Sequence, residues 1–300
     1  MDFDFGSLLA FIIFGVTIGV VYGIVALGIS LIYSGLDIVH FAHGEIFMFG
    51  AYFAFLGVTA LNLPLWLALI LSVVLCAILG VIIDLVAYRP LRSAPRLSAL
   101  ITAIGISLVL QNVARMIWGA EPRRDLANAK SEFLAQTIMI PGGAQLSYLD
   151  LSIIVLAVFL MAGLNRLIYL TRIGKAMRAC AQDKMAASLM GINTNIVITI
   201  TFALGSGLGA IAGIMVGMRE TIEPTMGYYK GVAAFAAAVL GGIGNITGAM
   251  LGGIVLGIAE VLGAGYISSG YRIAIAYILM ILVIIFRPSG LLGRASANRA

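Results

Sequence analysis

Residues 34–54 read SGLDIVHFAHGEIFMFGAYFA and gather Asp37, His40, His43 and Glu45 between two long runs without charge. His40 and His43 are the only histidines in 300 residues. Three kinds of chemistry suit such a set. Both histidines with Glu45 could ligate a metal, but no further histidine exists and cysteine is scarce, so no metal site is expected. Glu45 could instead stand in the first turn of a helix, where the dipole favours negative charge, after Ser34-Gly35 has ended the helix before it. The stretch could also be a broken helix lining a cavity, because non-helical backbone at membrane depth survives only under protein or water. His40 and His43, three apart, would then share one face of a short turn. The residue types leave the cap and the cavity readings open.

A second interruption, GGIGNITG at 241–248, looks similar in kind. Each break sits between apolar runs, one in each half of the chain, and paired interruptions of this sort point to a transport pathway. Asn245 and Thr247 would offer neutral polar contacts there, although a plain helix–helix turn explains the text equally well. Between the breaks, Gly205, Gly209, Gly213 and Gly217 recur every four residues and form one helix face open to close packing. Asp84, Arg115 and Arg166 fall near span ends and are expected to snorkel. Glu260 lies deeper, as a functional candidate or an interhelical contact.

The basic stretch 171–195, TRIGKAMRACAQDKMAASLMGINTN, is helix-prone. Asp183 is placed to cap a short helix, KMAASLM, that Gly191 terminates. Such an element could rest on anionic lipid or dock on a cytoplasmic partner. No set of residues for catalysis stands out. The sequence has no G-x-x-x-x-G-K-[ST] phosphate loop, no H-E-x-x-H and no G-x-S-x-G, so neither ATP binding by that device nor hydrolytic chemistry is expected.

The elements that position these residues must lie in lipid. Hydrophobic residues make up 62% of the chain and charged residues 10%, more apolar surface than a soluble core could bury. Cys76, in an apolar run, reads as a packing residue, and Cys180, in the basic loop, as a reduced thiol. The first segment lacks the basic start of a signal peptide and is expected to remain as a span. The net charge of +5 is scattered over short loops without a basic groove, which argues against nucleic acid.

Spans are expected at 8–33, about 46–61, 65–88, 98–118, 149–170, 195–217, on to about 267 after the second break, and 272–286, with 231–243 too short for an ordinary crossing. The fold class is thus all-α: a polytopic transmembrane bundle of about 8–9 spans with Gly-interrupted helices, in one membrane domain over 1–300. With all nine segments crossing and the N-terminus outside, eleven of the eighteen Lys and Arg fall inside, as the positive-inside rule asks. The C-terminus is then cytoplasmic. If 231–243 only dips in and returns, the C-terminus changes side.

Three stretches carry a resemblance: HFAHGEIFMFGAYFA, GKAMRACAQDKMAASLMGIN with ITFALGSGLGAIAGIM, and GVAAFAAAVLGGIGNITGAMLGGIVLGIAE. Together the chain resembles the LivH-type branched-chain amino-acid permeases. The resemblance implies a membrane subunit of an ATP-binding cassette importer in the cytoplasmic (inner) membrane. It implies a second, LivM-like permease subunit, two cytoplasmic ATPase subunits that bind the ATP, and an extracytoplasmic binding protein that delivers a neutral amino acid. No cofactor is expected on this chain. The central loop would be the coupling element, carried by Asp183, Ala186, Ala187 and Gly191: Ala186, Ala187 and Gly191 fit the E-A-A-x-x-x-G pattern, whereas Met185 stands where it has Glu and Thr201 does not continue the consensus. His40, His43, Glu45, Asn245 and Thr247 become candidates for the substrate path. A proton-coupled secondary transporter and a urea or amide permease or channel are the rival readings.

Overall fold

The computed structural model describes residues 5–36, 38–92, 94–129, 132–139 and 145–293. Apolar text turns into helix almost throughout: α1 (Phe5–Leu36), α2 (His43–Thr59), α3 (Leu65–Ile83), α4 (Arg96–Trp118), short α5 (Asp125–Asn128) and α6 (Glu132–Ala135), α7 (Tyr148–Leu170), α8 (Arg172–Gln182), α9 (Lys184–Leu189), α10 (Thr194–Gly217), α11 (Met226–Gly241), α12 (Ile246–Tyr266) and α13 (Arg272–Phe286). A two-stranded ribbon, β1 (Thr137–Met139) with β2 (Gln145–Ser147), lies in the long loop before α7. Among the described residues, seven helices are long and apolar enough to cross a membrane, so the chain is a multi-pass membrane protein. The helices α2, with 17 residues, and α11, with 16, are shorter.

The buried centre is made by α1, α2, α10, α11 and α12, while α3, α4, α7 and α13 carry much of the exposed apolar surface. Small residues allow this packing, since helices in lipid gain most from close backbone approach. Along the antiparallel crossing of α1 and α12, a Cβ on Gly19 would sit 2.6 Å from the Gly253 carbonyl oxygen. The glycine stripe of α10 receives α2: Gly209 faces His43, Gly213 meets the Phe47 carbonyl and Gly217 touches Ala51.

Four contacts define one end of the bundle. Lys184 Nζ donates to the Leu36 carbonyl at 3.1 Å, which brings α9 under the end of α1. Gly244 lies beside Tyr33 near that same end of α1. The segment after α13 is tied to the end of α11 by Leu291 N to Leu240 O at 2.8 Å and Leu292 N to Gly241 O at 3.1 Å. The coupling-like loop, the α11–α12 turn and residues 287–293 therefore share one face, and the start of α1 lies at the other. Residues 231–241 lie in α11, which ends at the α9 face and does not turn back on itself, and 242–243 begin the turn to α12. Asp37, Arg294 and Arg299 lie outside the described residues.

At the opposite end, Arg123 and Ile222 exchange backbone hydrogen bonds at 2.9 and 2.8 Å, and Arg219 pairs with Asp150 at 3.0 Å. The start of α7 is fixed there by a reciprocal cap, in which Asp150 N donates to Ser147 Oγ and Ser147 N to Asp150 Oδ2.

Candidate functional site

The chain leaves α1 at the α9 face and crosses back into the bundle as non-helical backbone at 38–42, so α2 begins well inside. The chain also leaves α10 at the opposite face and returns over 218–225 before α11 begins. These two amino ends meet. A Cβ on Gly44 would lie 2.9 Å from the Gly231 Cα, and one on Gly227 would lie 2.7 Å from the Gly44 carbonyl oxygen. Only glycine permits this approach. The shortness of α2 and α11 now has a cause: each starts in the interior and runs to its own face.

Glu45 stands at the meeting point. It is 1% exposed, and its Oε1 accepts from Ser107 Oγ and Gln111 Nε2, both at 2.9 Å. Ser107 lies midway along α4, which sets Glu45 near mid-depth. Two helix amino ends and two side-chain donors are surroundings that suit a negative group. The other oxygen, Oε2, has no hydrogen-bond partner among the described residues.

Beside Glu45 lies a cavity of about 620 Å³ between α2, α4, α11 and α13. Ile29, Phe41, Ile104, Leu108, Phe235 and Met280 give it apolar walls, and its polar lining comes from His40, Glu45, Ser107, Gln111, Thr225 and three tyrosines, Tyr228, Tyr229 and Tyr277. Among the described residues, no Lys or Arg lines it. The volume suits a small organic solute with an aliphatic portion, within the usual range for ligand pockets.

His40 lines the same cavity and is held from behind. Its Nδ1 lies 2.7 Å from the Tyr88 hydroxyl, and its ring packs edge-on to Tyr88 and Phe202. Tyr88 ends a π-helical turn, Asp84–Tyr88, that continues α3. Such turns interrupt the regular ladder and often mark functional positions. Asp84 opens the turn, fully buried, and pairs with Arg92 at 2.6 Å and with the Thr199 hydroxyl at 2.6 Å. Arg92 also donates to the Asn195 side chain. The expectation that Asp84 snorkels is therefore corrected: it is the buried centre of a polar knot between α3 and the first two turns of α10. Arg115 and Arg166, in contrast, are exposed.

The other expected site residues go elsewhere. His43 is wholly buried but does not line the cavity; its ring fills the space between Gly28 of α1 and Gly209 of α10. Asn245 accepts from Gly248 N at 3.0 Å as the cap of α12, and its amide donates to the Leu292 carbonyl at 2.7 Å. Asn245 and Thr247 thus sit at the α9 face, and the structure does not bring them together with His40 and Glu45. Glu260 lines a second, smaller cavity together with Tyr22, Lys230 and Arg272. The residues that sequence reasoning missed, Ser107 and Gln111, left one signal: two polar residues four apart, on one face of a largely apolar span.

At the α9 face, Asp183 Oδ1 accepts from Met185 N at 2.8 Å and Ala186 N at 3.0 Å, which starts α9. Gly191, at φ +81°, ends it. Ala187 is buried against Met177, Cys180 and Val197, so α8, α9 and the start of α10 pack as a unit. Ala186 and Gly191 are exposed. Met185 (76% exposed), Leu189 (82%) and Met190 (82%) project outward and form an apolar tip amid basic residues. Burial raises the Cys180 thiol above its ordinary range, against the pull of Lys184, so this cysteine is a packing group and a poor nucleophile.

Residues 11–286 match the family described as "Branched-chain amino acid transport system / permease component". The chain is 39% identical over 294 residues to the high-affinity branched-chain amino acid transport system permease protein BraD of Pseudomonas aeruginosa, covering 95% of each chain. It is 39% identical over 297 residues to LivH of Escherichia coli K12, again covering 95% of each. A probable branched-chain amino acid transport permease protein LivH of Methanocaldococcus jannaschii is 29% identical over 293 residues, with 90% of this chain and 88% of the relative covered.

Proposed function

The chain belongs to the permease-component family of branched-chain amino acid transport systems, and from that premise we propose that it forms half of the membrane path of an ATP-driven importer. As a member, it is a transport component of a larger system and not an enzyme. The cargo we assign is a branched-chain or other neutral amino acid, delivered by an extracytoplasmic binding protein. A second permease subunit completes the path, and two cytoplasmic ATPase subunits bind and hydrolyse the ATP. The whole chain acts as one permease domain in the inner membrane, with the N-terminus outside and the C-terminus at the cytoplasmic α9 face.

The cavity beside Glu45 is the path. One observation carries the reading: a continuous set of packed and hydrogen-bonded residues joins that cavity to α9. The tip Met185, Leu189 and Met190 seats in a groove of the ATPase, since apolar side chains this exposed at a basic face gain from burial. Closure of the ATPases displaces α9, and the buried Ala187 transmits the movement to α8 and α10. Asn195 and Thr199 sit on the first two turns of α10 and hold Arg92 and Asp84. The π-helical turn then moves Tyr88 against His40 at the cavity wall. Rigid elements with two discrete packings are the usual carriers of such transitions. A secondary transporter needs no exposed apolar tip, which favours the importer over that rival.

The experiment reconstitutes the complete transporter with Gly191→Leu. This position has φ +81° and open space around it, so a bulky residue perturbs α9 locally and leaves the bundle intact. Loss of substrate-stimulated ATP hydrolysis in a normally assembled complex is expected. Unchanged stimulation, or proton-driven uptake by the chain alone, would count against the proposal.

A further inference from the structure

Four acidic side chains are buried in the described part of the bundle, and three of them have basic side chains beside them. Asp84 is held by Arg92 and Thr199, Asp150 by Arg219 at 3.0 Å, and Glu260 shares the lining of a smaller cavity with Tyr22, Lys230 and Arg272. Glu45 is the exception. Its Oε1 is taken by Ser107 and Gln111, whereas Oε2 lies buried against Gly227 without a hydrogen-bond partner among the described residues, on a side chain in the cavity wall. Arg115 acts on Glu45 electrostatically, yet it is exposed, lies outside the lining, and makes no salt bridge with Glu45 among the described residues.

A buried carboxylate oxygen without a partner costs free energy unless a donor reaches it. An ammonium group supplies three donors and a positive charge, and it accepts nothing. The apolar walls suit an aliphatic side chain. With no Lys or Arg in the lining among the described residues, the carboxylate of a zwitterion is left to neutral donors, which the hydroxyls of Tyr228, Tyr229 and Tyr277 provide. From these contacts we infer that Glu45 recognises the α-ammonium group of the transported amino acid, so that the permease itself selects cargo in mid-membrane. The inference rests on the cavity being the translocation path. It adds a second selection step after the binding protein: solutes that lack a cationic nitrogen are refused even when delivered.

The test uses the purified complete transporter in nanodiscs, without the binding protein. Bound radiolabelled leucine is competed by 3-methylbutylamine, which lacks the carboxylate, and by 4-methylpentanoate, which lacks the ammonium. In the wild type the amine is expected to compete and the acid to be at least about tenfold weaker. Glu45→Gln is expected to weaken leucine and the amine about 10- to 100-fold while leaving the acid unchanged, and Glu45→Asp to keep amine competition. Amine affinity unchanged in Glu45→Gln overturns the inference, as does a wild type in which the acid competes as well as the amine or neither probe competes. The wild-type comparison decides the matter even if Glu45→Gln fails to fold, which gel filtration detects. Failure of the path reading is seen separately: Ile104→Trp fills the cavity from the exposed side of α4, and unchanged leucine uptake by that variant sinks the path whatever the amine does.

Discussion

Two glycine-marked breaks look alike in the sequence and do opposite things in the fold. Near residue 40, the chain interrupts its helix inside the bundle and meets the start of α11, where a carboxylate, a histidine and several hydroxyls face a cavity. Near residue 244, it turns at an end face, and Asn245 satisfies both the cap of α12 and the segment after α13. The first break leaves polar atoms unpartnered and the second uses its own. The difference lies in depth: a break at the face closes locally, while a break in the interior must find partners on other helices or on a ligand.

The strongest way to break this comparison is to separate the two amino ends. Gly44→Leu drives its side chain into the backbone of Gly227 and Gly231, and overpacking of this kind costs about 1–3 kcal/mol or more. Loss of monodisperse protein after detergent extraction is expected, together with a lower Tm. Normal yield and Tm would mean that α2 and α11 do not meet.

Asp84→Asn comes next. It leaves Arg92, itself partly exposed, facing a neutral group in place of the buried carboxylate, a change of about 2 kcal/mol. Reduced stability and weaker coupling of ATP hydrolysis to uptake are both expected. Asp84→Asn combined with Arg92→Leu should cost less than the two single changes added together, which a double-mutant cycle measures. Full additivity would show that the knot is not one unit. Smaller again is Tyr88→Phe, which removes the hydroxyl that holds His40 at a cost of about 1 kcal/mol, with a larger effect on transport rate than on Tm.

Much of this was legible in residue order. The spans follow from apolar run length, and the glycines of α10 announced a close neighbour, which proved to be α2. The cap and stop of α9 were written locally, as Asp183 and Gly191. Glu45 and His40 stood out because charge is rare in such a chain. What could not be read was depth and company. Asn245 and Thr247 were grouped with His40 because both breaks share Gly and polar residues, and nothing local says which one lies inside. Ser107, Gln111, Thr225 and Tyr277 reach the cavity through contacts far apart in sequence. Asp84 looked like a span-end residue until Thr199, more than a hundred positions later, closed over it.

The smallest expected change sharpens the comparison from the other side. Asn245→Ala removes a helix cap, at a cost of about 1 kcal/mol. A slightly lower Tm with unchanged uptake is expected, and an uptake defect without a Tm change would place this turn on the path after all.

The most direct measurement is cysteine labelling of the complete transporter, with Cys76 and Cys180 replaced by alanine and a single thiol placed at each break. Thr225→Cys, in the cavity lining, should react with a water-soluble thiol reagent and be protected by leucine; Thr247→Cys should react from the α9 face with or without leucine. Protection at 247 and none at 225 would contradict the assignment of the path to the interior break.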